Sequence, residues 1–124
     1  MTAASEPRGA QAERIACRYL EKHGLQLVTR NYRCRGGEID LLMRQGQLLV
    51  VVEVRHRRGQ RFGGAAASID TRKQRRLILA AQDYLARHPA AATTPVRFDV
   101  LALDGDIAAP AVDWIRDAFR PDWP

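Results

Sequence analysis

The sequence has few cysteines and no long hydrophobic run. Its 124 residues include two cysteines, Cys17 and Cys34, with no Cys-x-x-Cys or Cys/His spacing, so neither a structural zinc site nor a disulfide scaffold is expected. The longest aliphatic run, Leu48 to Val52, is far shorter than the about 20 apolar residues of a membrane span. The N-terminal segment MTAASEPRGAQAER lacks the apolar stretch of a signal peptide. These absences predict a cytoplasmic protein that does not enter a membrane.

Lysines and aromatic residues are also scarce. There are 2 Lys against 18 Arg, a bias that a GC-rich genome alone can produce. Aromatic residues make up 6% of the chain, which gives little support to a base-stacking platform for single strands. With hydrophobic residues at 46%, the length predicts one globular domain that spans residues 1–124.

Positive charge is abundant and unevenly placed. The net charge is +6, and the segment from Arg55 to Arg76 holds eight Lys or Arg and one acid. From Val96 onward the balance reverses, with six Asp against three Arg. A one-sided basic segment indicates a surface for a polyanion. The alternative is an ordinary solvated surface.

Two segments have the apolar periodicity of amphipathic helices. The first runs from about Pro7 to His23, with Ser5 as N-cap and Gly24 as stop. Its buried stripe comprises Ala12, Ile15, Ala16, Tyr19 and Leu20. The second begins near Asp70 or Thr71 and ends before Pro89. Its apolar face comprises Leu77, Ala80, Ala81 and Tyr84, and Lys73 shares this inward face because it lies four residues before Leu77.

The other regular segments are predicted strands, and turns that contain glycine separate the first three of them. Their ranges are Leu25 to Tyr32, Glu38 to Met43, Leu48 to Arg55 and Val96 to Leu103. His56 to Ser68 is predicted as an irregular loop, and Ala111 to Phe119 is compatible with a short strand or a helical turn. The order α-β-β-β-α-β predicts an α/β fold, a three-layer α/β/α sandwich with a central mixed sheet.

The second and third strands predict a hairpin with Gln45-Gly46 as its turn. In the resulting register one face carries apolar pairs alone, namely Ile39 with Val52, Leu41 with Val50, and Met43 with Leu48. The other face carries Glu38 opposite Glu53, with Asp40 on the diagonal and Arg55 beyond. Directly opposed side chains lie about 5 Å apart at Cβ, and diagonal ones about 7–8 Å. The register therefore predicts three crowded carboxylates at one end of the sheet.

Such a cluster needs positive charge if it is to be buried. A divalent cation can supply that charge, since Mg²⁺ and Mn²⁺ favour oxygen ligands and Mg²⁺ often uses one or two carboxylates plus water and a substrate phosphate. The alternative is a structural ion-pair cluster in which Arg55, Lys73 and nearby arginines neutralise the acids. The sequence favours the cation but leaves both open.

Asp40 and the triplet Glu53-Val54-Arg55 resemble the PD-(D/E)xK nuclease signature. The resemblance extends over nearly the whole chain to the YraN-like family of bacterial proteins, predicted nucleases of the restriction-endonuclease fold related to archaeal Holliday-junction resolvases. The matching segments are Ala12-Glu13 with Ala16 and Tyr19-Leu20, Arg30-Asn31-Tyr32, Gly37 to Leu41, Val52 to Arg55 with Arg57, Lys73, and Arg97 to Val100. A lone Asp…Glu-x-Lys pattern is short and weak, but these segments in this order are fairly specific.

The resemblance implies that Asp40 and Glu53 bind Mg²⁺ or Mn²⁺ and that Glu13 is the first-helix acid that completes the site. The chain departs from the signature at Arg55, where the signature has Lys. Arginine can stabilise charge on a phosphate, but it cannot act as a base because its pKa is above about 12. Either the metal alone activates water, or Lys73 reaches in from the second helix, or the site is weakened.

The sequence thus predicts a metal-dependent nuclease or nuclease-like protein that acts on DNA, with branched or damaged DNA among the candidate substrates. The predicted catalytic residues are Asp40, Glu53, Arg55 and Lys73. Contacts with the DNA backbone are expected from Arg57, Arg58, Arg61, Arg72, Arg75 and Arg76. The alternatives are a DNA-binding module that has lost the chemistry and a protein-interaction domain. A homodimer would suit the two symmetric cuts of a junction-cutting enzyme.

Overall fold

The structure, a computed structural model, describes residues 8–57 and 69–121. The predicted N-cap Ser5, the predicted helix start at Pro7 and most of the predicted loop lie outside the described residues. So do Arg58 and Arg61.

Within those ranges the chain forms two α-helices and five β-strands. They are α1 (Arg8–Lys22), β1 (Gln26–Cys34), β2 (Gly37–Gln45), β3 (Leu48–Arg57), α2 (Thr71–Arg87), β4 (Val96–Asp104) and β5 (Ala111–Phe119), with a 3-10 turn at Pro89–Ala91. The strands form one sheet in the order β1-β2-β3-β4-β5. β3 and β4 are parallel and the other neighbours are antiparallel. The predicted α/β class and mixed sheet are confirmed, and the ambiguous segment is strand β5.

The helices bury the predicted stripes on opposite faces of the sheet. Ala12, Ala16 and Leu20 of α1 pack with Leu41, Met43, Val50 and Val52, while the predicted face of α2 packs with Leu42, Leu49 and Val51. Neighbouring residues of a strand point to opposite faces, so the sheet lies between the two helices. Asp70 is the N-cap of α2, and its carboxylate accepts a hydrogen bond of 2.7 Å from the Lys73 N–H. None of the helices in the described part is long and apolar enough to cross a membrane.

The hairpin turn is Gly46-Gln47, and Gln45 pairs with Leu48. Gly46 takes the first turn position with φ of 58°, a conformation that glycine adopts without steric cost. The predicted turn, Gln45-Gly46, is therefore wrong, and so is the register, which is shifted by two residues. A shift by two leaves each side chain on its own face, and Leu42 and Leu49 lie on the same face.

Gly37, the first residue of β2, brings this strand against α2. A Cβ atom at Gly37 would lie 2.3 Å from the Arg76 carbonyl oxygen and 2.9 Å from the Ala80 nitrogen. Only a residue without a side chain allows this approach. The contact fixes the position of α2 beside the start of β2, next to the predicted carboxylates.

A buried carboxylate joins β4 to β5. Asp99 is 1% exposed and accepts two hydrogen bonds of 2.8 Å from the Arg97 guanidinium. It also accepts hydrogen bonds from the Trp114 indole at 2.9 Å and from the Asp117 N–H at 3.0 Å. Asp117 has φ of 56° and lies where the β4–β5 register shifts. Asp99 thus satisfies the backbone at an irregular point of the sheet edge.

Candidate active site

The side-chain alternation of β1 and β2 reverses at Asn31 and Asp40. Ile39 packs with Tyr32 on the α2 side of the sheet, whereas Leu41, two residues later, packs on the α1 side. Residues two apart in a regular strand share a face, so the regular alternation of side chains is broken between Ile39 and Leu41. Asn31 has φ of 54°, the left-handed conformation, which asparagine tolerates better than most residues. The prediction that Ile39 lies on the face of Leu41 is therefore wrong.

This reversal sets Asp40 into the gap between β2 and β3. The ladder between these strands ends at the pair Leu41–Val52. Beyond it, the Asp40 Oδ2 atom accepts a hydrogen bond of 2.9 Å from the Val54 N–H. The Asp40 side chain also lies close enough to the Glu53 carboxyl group to raise its pKa. The two carboxyl groups are therefore direct neighbours, not the diagonal pair that the predicted register implies.

Glu53 is the buried member of this pair, with an exposed fraction of 4%. Its Oε2 atom lies 3.3 Å from the Arg55 Nε and 3.4 Å from the Lys73 Nζ. Burial, followed by the charge of Asp40, raises the pKa of Glu53 to about 7, although Lys73 and Arg55 act in the opposite direction. Desolvation and a neighbouring negative charge both disfavour the ionised form of a buried carboxyl group, which accounts for the direction of this shift.

Glu13 reaches the same place from α1. It lines an open cleft of about 720 Å³ together with Asp40, Glu53, Arg55 and Lys73. Burial and then the charge of Asp40 raise the pKa of Glu13, while a hydrogen bond from the Asn31 side chain lowers it. The structure thus brings all five predicted catalytic and metal-binding residues to one cleft, with α1 on one wall and α2 on the other.

Glu38 is not part of this cleft. It pairs with Arg33 across the β1–β2 ladder, and its carboxylate lies 3.4 Å from the Arg33 Nε and 3.8 Å from the Arg76 Nη2. The predicted opposition of Glu38 and Glu53 is wrong, because the two-residue register shift and the reversal at Asp40 separate them. The Glu38 side chain is 36% exposed, so these ion pairs contribute little stability.

Asp40 and Glu53 lie next to each other in the cleft and Glu13 lines it too, but the three carboxylates do not form a preformed metal site. Within residues 8–57 and 69–121, no group of three or more His, Cys, Asp or Glu side chains is arranged to hold a metal ion. Asp40 and Glu53 still fit the kind of Mg²⁺ site that uses two carboxylates together with water and a substrate phosphate. A divalent cation at this pair would offset the burial and the neighbouring charge that raise the pKa of Glu53.

The predicted phosphate-binding arginines differ in their surroundings. Arg72 and Arg75 are exposed at the start of α2. Arg76 is paired with Glu38, and Arg57 is half-buried at the end of β3, where its carbonyl accepts a hydrogen bond of 2.8 Å from the Gly105 N–H.

Sequence reasoning missed four residues near the cleft. Arg33 and Arg35 are exposed in and beside the β1–β2 turn, which the Gly37 contact holds against α2. His56 lines the cleft, and its Nε2 lies 2.8 Å from the Gly105 carbonyl oxygen. A carbonyl can only accept, so this nitrogen carries the hydrogen. Asn31 belongs to a segment that matches the family, but no sequence pattern marks a left-handed asparagine.

These features define a class: an α/β protein with a five-stranded mixed sheet and a carboxylate-lined cleft where two central strands separate. The chain belongs to the UPF0102 family. Residues 12–103 match the family described as "Uncharacterised protein family UPF0102", which supports the predicted membership of the YraN-like family. This range includes every predicted catalytic and metal-binding residue.

Relatives align over almost the full length. A UPF0102 protein of Xanthomonas campestris pv. campestris is 57% identical over 122 residues, which cover 98% of each chain. A UPF0102 protein of Nitrosococcus oceani is 52% identical over 113 residues and 91% of each chain. A third, from Aeromonas hydrophila, is 52% identical over 90% of this chain and 84% of its own.

Proposed function

We propose that this protein is a metal-dependent nuclease with a restriction-endonuclease-like fold that acts on DNA phosphodiesters. The observation that carries the proposal is the placement of the neighbouring Asp40 and Glu53 carboxyl groups at an open cleft beside two cations, Arg55 and Lys73. A mixed sheet between two helices, with the acids on neighbouring central strands, is compatible with the PD-(D/E)xK signature that the sequence resembles.

Asp40 and Glu53 would hold Mg²⁺ or Mn²⁺, with Glu13 as the further acid on the α1 wall. When bound, the cation supplies positive charge to the scissile phosphate and polarises the attacking water. The protein's part is to keep the acids aligned. The Val54 N–H fixes one Asp40 oxygen, and burial of Glu53 removes water that would weaken the electrostatic interactions.

Arg55 and Lys73 would stabilise the negative charge that develops on the phosphate. Both lie within 3.4 Å of the same Glu53 oxygen, so a phosphate that reaches Glu53 meets both cations. Lys73 reaches the cleft from α2, which supplies a lysine where the signature position on β3 holds arginine. Since Arg55 cannot accept a proton, its role is electrostatic.

The surface beside the cleft suits a nucleic-acid backbone. Arg72 and Arg75 on α2 and Arg33 and Arg35 near the β1–β2 turn lie on adjoining, exposed parts of the molecule. No aromatic side chain is exposed within residues 8–57 and 69–121, so stacking on single-stranded bases has little support there. We therefore favour duplex DNA that is bound through its phosphates without sequence readout.

Cleavage assays test the chemistry. Linear, nicked and four-way DNA should be cut in Mg²⁺ or Mn²⁺ but not in chelator, and Asp40→Ala should lose at least about 100-fold in rate, in the range seen for acid–base and oxyanion-stabilising groups. Asp113→Ala removes an exposed carboxylate of β5 that does not line the cleft and should cut like wild type. Cleavage in chelator, or full activity of Asp40→Ala, would refute the proposal.

DNA affinity tests the surface. If roughly four to six basic side chains contact phosphates, the logarithm of affinity should fall with the logarithm of salt concentration with a slope of about −4 to −5. Arg75→Ala should reduce this slope by up to about one unit. Arg44→Ala, an exposed arginine at the other end of β2, should leave it unchanged. An affinity that does not depend on salt would contradict binding through phosphates.

A DNA-binding module without catalysis is the second candidate. It is favoured because Arg55 and Lys73 already neutralise Glu53 in the described cleft. This candidate predicts salt-dependent DNA binding by wild type with no cleavage in either cation. Gain of cleavage by Arg55→Lys would then identify a nuclease whose chemistry has degenerated.

A further inference from the structure

We infer that His56 is the base that accepts the proton of the attacking water during phosphodiester cleavage. The inference rests on the proposed nuclease function and adds to it a catalytic residue outside the predicted set.

The cleft needs a proton acceptor that its predicted catalytic residues do not provide. Water that attacks phosphorus must lose a proton, and Arg55 cannot take it because the pKa of a guanidinium group is above about 12. Lys73 is engaged as a cation with the Glu53 carboxylate, 3.4 Å away, and Asp40 and Glu53 would hold the divalent ion. His56 lines the same cleft, and histidine is the side chain that most often serves as a general base.

The β4–β5 turn fixes the imidazole ring of His56. Its Nε2 donates a hydrogen bond of 2.8 Å to the Gly105 carbonyl oxygen, and the Gly105 N–H donates one of 2.8 Å to the Arg57 carbonyl oxygen. A neutral imidazole carries one hydrogen, so its Nδ1 keeps the lone pair that can take up a proton. Because the hydrogen bond from Nε2 persists in the protonated ring, proton uptake requires no rearrangement.

Strand β3 places His56 beside the acids. Val54, whose N–H holds the Asp40 carboxylate, precedes His56 by two residues, so the two lie on one face of the strand about 7 Å apart. The His56 side chain is exposed. This separation leaves space for a phosphate group and the attacking water between Asp40 and the imidazole ring.

Cleavage transfers one proton to His56. The water oxygen forms a bond to phosphorus while the bond from phosphorus to the leaving oxygen breaks, and the proton of the water passes to Nδ1. The imidazolium then releases this proton to solvent, and the leaving oxygen takes one from solvent. Asp104 and Asp106 flank Gly105 in the turn, so the positive charge that His56 takes up lies near two carboxylates.

Two substitutions separate proton uptake from a structural role. His56→Gln keeps an N–H donor for the Gly105 carbonyl but has no nitrogen that accepts a proton. It should bind duplex DNA in chelator like wild type and cleave it at least about 100-fold more slowly in Mg²⁺. His56→Ala should also be slow, and imidazole added to the buffer should raise its rate but not the rate of wild type.

His23→Ala is the matched control. His23 is exposed, and its Nδ1 lies 2.8 Å from the Tyr19 carbonyl oxygen, but it does not line the cleft. This variant should cleave like wild type with and without imidazole.

NMR spectra of the metal-free protein provide a measurement that does not depend on cleavage. The ¹⁵N shifts of the neutral His56 ring should show the hydrogen on Nε2. Duplex DNA added in chelator should shift the ring signals of His56 and leave those of His23 unchanged.

The possible results keep the two proposals apart. If wild type cleaves DNA and His56→Gln cleaves it equally fast, the role of His56 is overturned while the proposed function stands. Failure of imidazole to speed up a folded His56→Ala, or a ring hydrogen on Nδ1, also overturns it. If His56→Ala does not fold, His56→Gln decides. If wild type does not cleave, both proposals fall. A slow His56→Gln that binds DNA normally, beside an unchanged His23→Ala, supports the inference.

Discussion

Replacement of Asp40 by asparagine tests whether the cleft is built for a cation. Asn keeps the shape of Asp, its amide oxygen can still accept the hydrogen bond from the Val54 N–H, and its NH₂ group can donate to Glu53. The substitution therefore removes one negative charge and little else. Its effect on stability depends on whether the metal-free pair is repulsive or is balanced by Arg55 and Lys73.

The pKa of Glu53 sets the size of the expected effect. The gap between its ordinary value of 4.5 and about 7 in the folded protein corresponds to roughly 3 kcal/mol of unfolding free energy. Burial is the first cause and Asp40 the second, so we assign about 1 kcal/mol to Asp40.

The sign follows from linkage. An acid with a raised pKa in the folded state stabilises the protein at low pH, and this contribution is lost as pH rises from about 4.5 through about 7. In chelator at pH 8, Asp40→Asn should be more stable than wild type by about 1 kcal/mol, and the difference should shrink towards pH 5.

Urea unfolding of both proteins, in chelator and in Mn²⁺ at each pH, measures these differences. Wild type should gain stability from Mn²⁺ as RT ln(1 + [L]/Kd), and Asp40→Asn should not. If Asp40 instead balances the charge of Arg55 or Lys73, its replacement would leave a buried cation without a counter-charge. Asp40→Asn would then lose about 3 kcal/mol or more of unfolding free energy in chelator. That result would show that Asp40 and Glu53 serve a structural ion-pair cluster and would refute the metal site.

Four further substitutions test the fold and the signature position. In urea titrations, Gly37→Ala should lower the unfolding free energy by about 2–3 kcal/mol, because the new methyl group collides with the backbone of α2. Gly46→Ala should lower it by only about 1–2 kcal/mol, because Gly46 has open space around it and only its φ of 58° is unfavourable for alanine. Asp99→Asn should lower it by about 3 kcal/mol because the Arg97 guanidinium loses its buried counter-charge, and a near-neutral result would contradict this account of β5. Arg55→Lys should retain or raise any nuclease activity, and if it abolished a wild-type activity, the equivalence of Arg55 to the signature lysine would be wrong.

The helices were predictable because their periodicity reports burial directly. The four residues assigned to the inner face of α2 are its buried residues, and the N-cap is Asp70, one of the two residues near which the helix was predicted to begin. For the hairpin, the sequence could predict the alternation of side chains next to the turn but not the register of the two strands. Turns at Gln45-Gly46 and Gly46-Gln47 both place Gly46 in the turn and keep the same alternation, so the apolar pattern could not distinguish them.

The sequence predicted which residues line the cleft but not how they are arranged in it. Glu13, Asp40, Glu53, Arg55 and Lys73 do line one cleft, since strand order and helix faces bring them to one end of the sheet. The contact between the Asp40 and Glu53 side chains and the exclusion of Glu38 depend on a reversal in β2. That reversal depends on the conformation of Asn31 in a neighbouring strand, which a residue pattern within β2 cannot reveal.

The two left-handed residues have a consequence for self-association. Asn31 lies in β1 and Asp117 in β5, the two outer strands of the sheet. Each of these strands also carries a register shift against its inner neighbour. A free strand recruits another molecule when it is long and flat, and bulges and twists prevent this. The irregular outer strands therefore disfavour pairing with a strand of another molecule at both edges of the sheet. This holds for aggregation and for an ordered dimer. If two copies of this chain form the predicted homodimer, we expect them to meet through helices or turns.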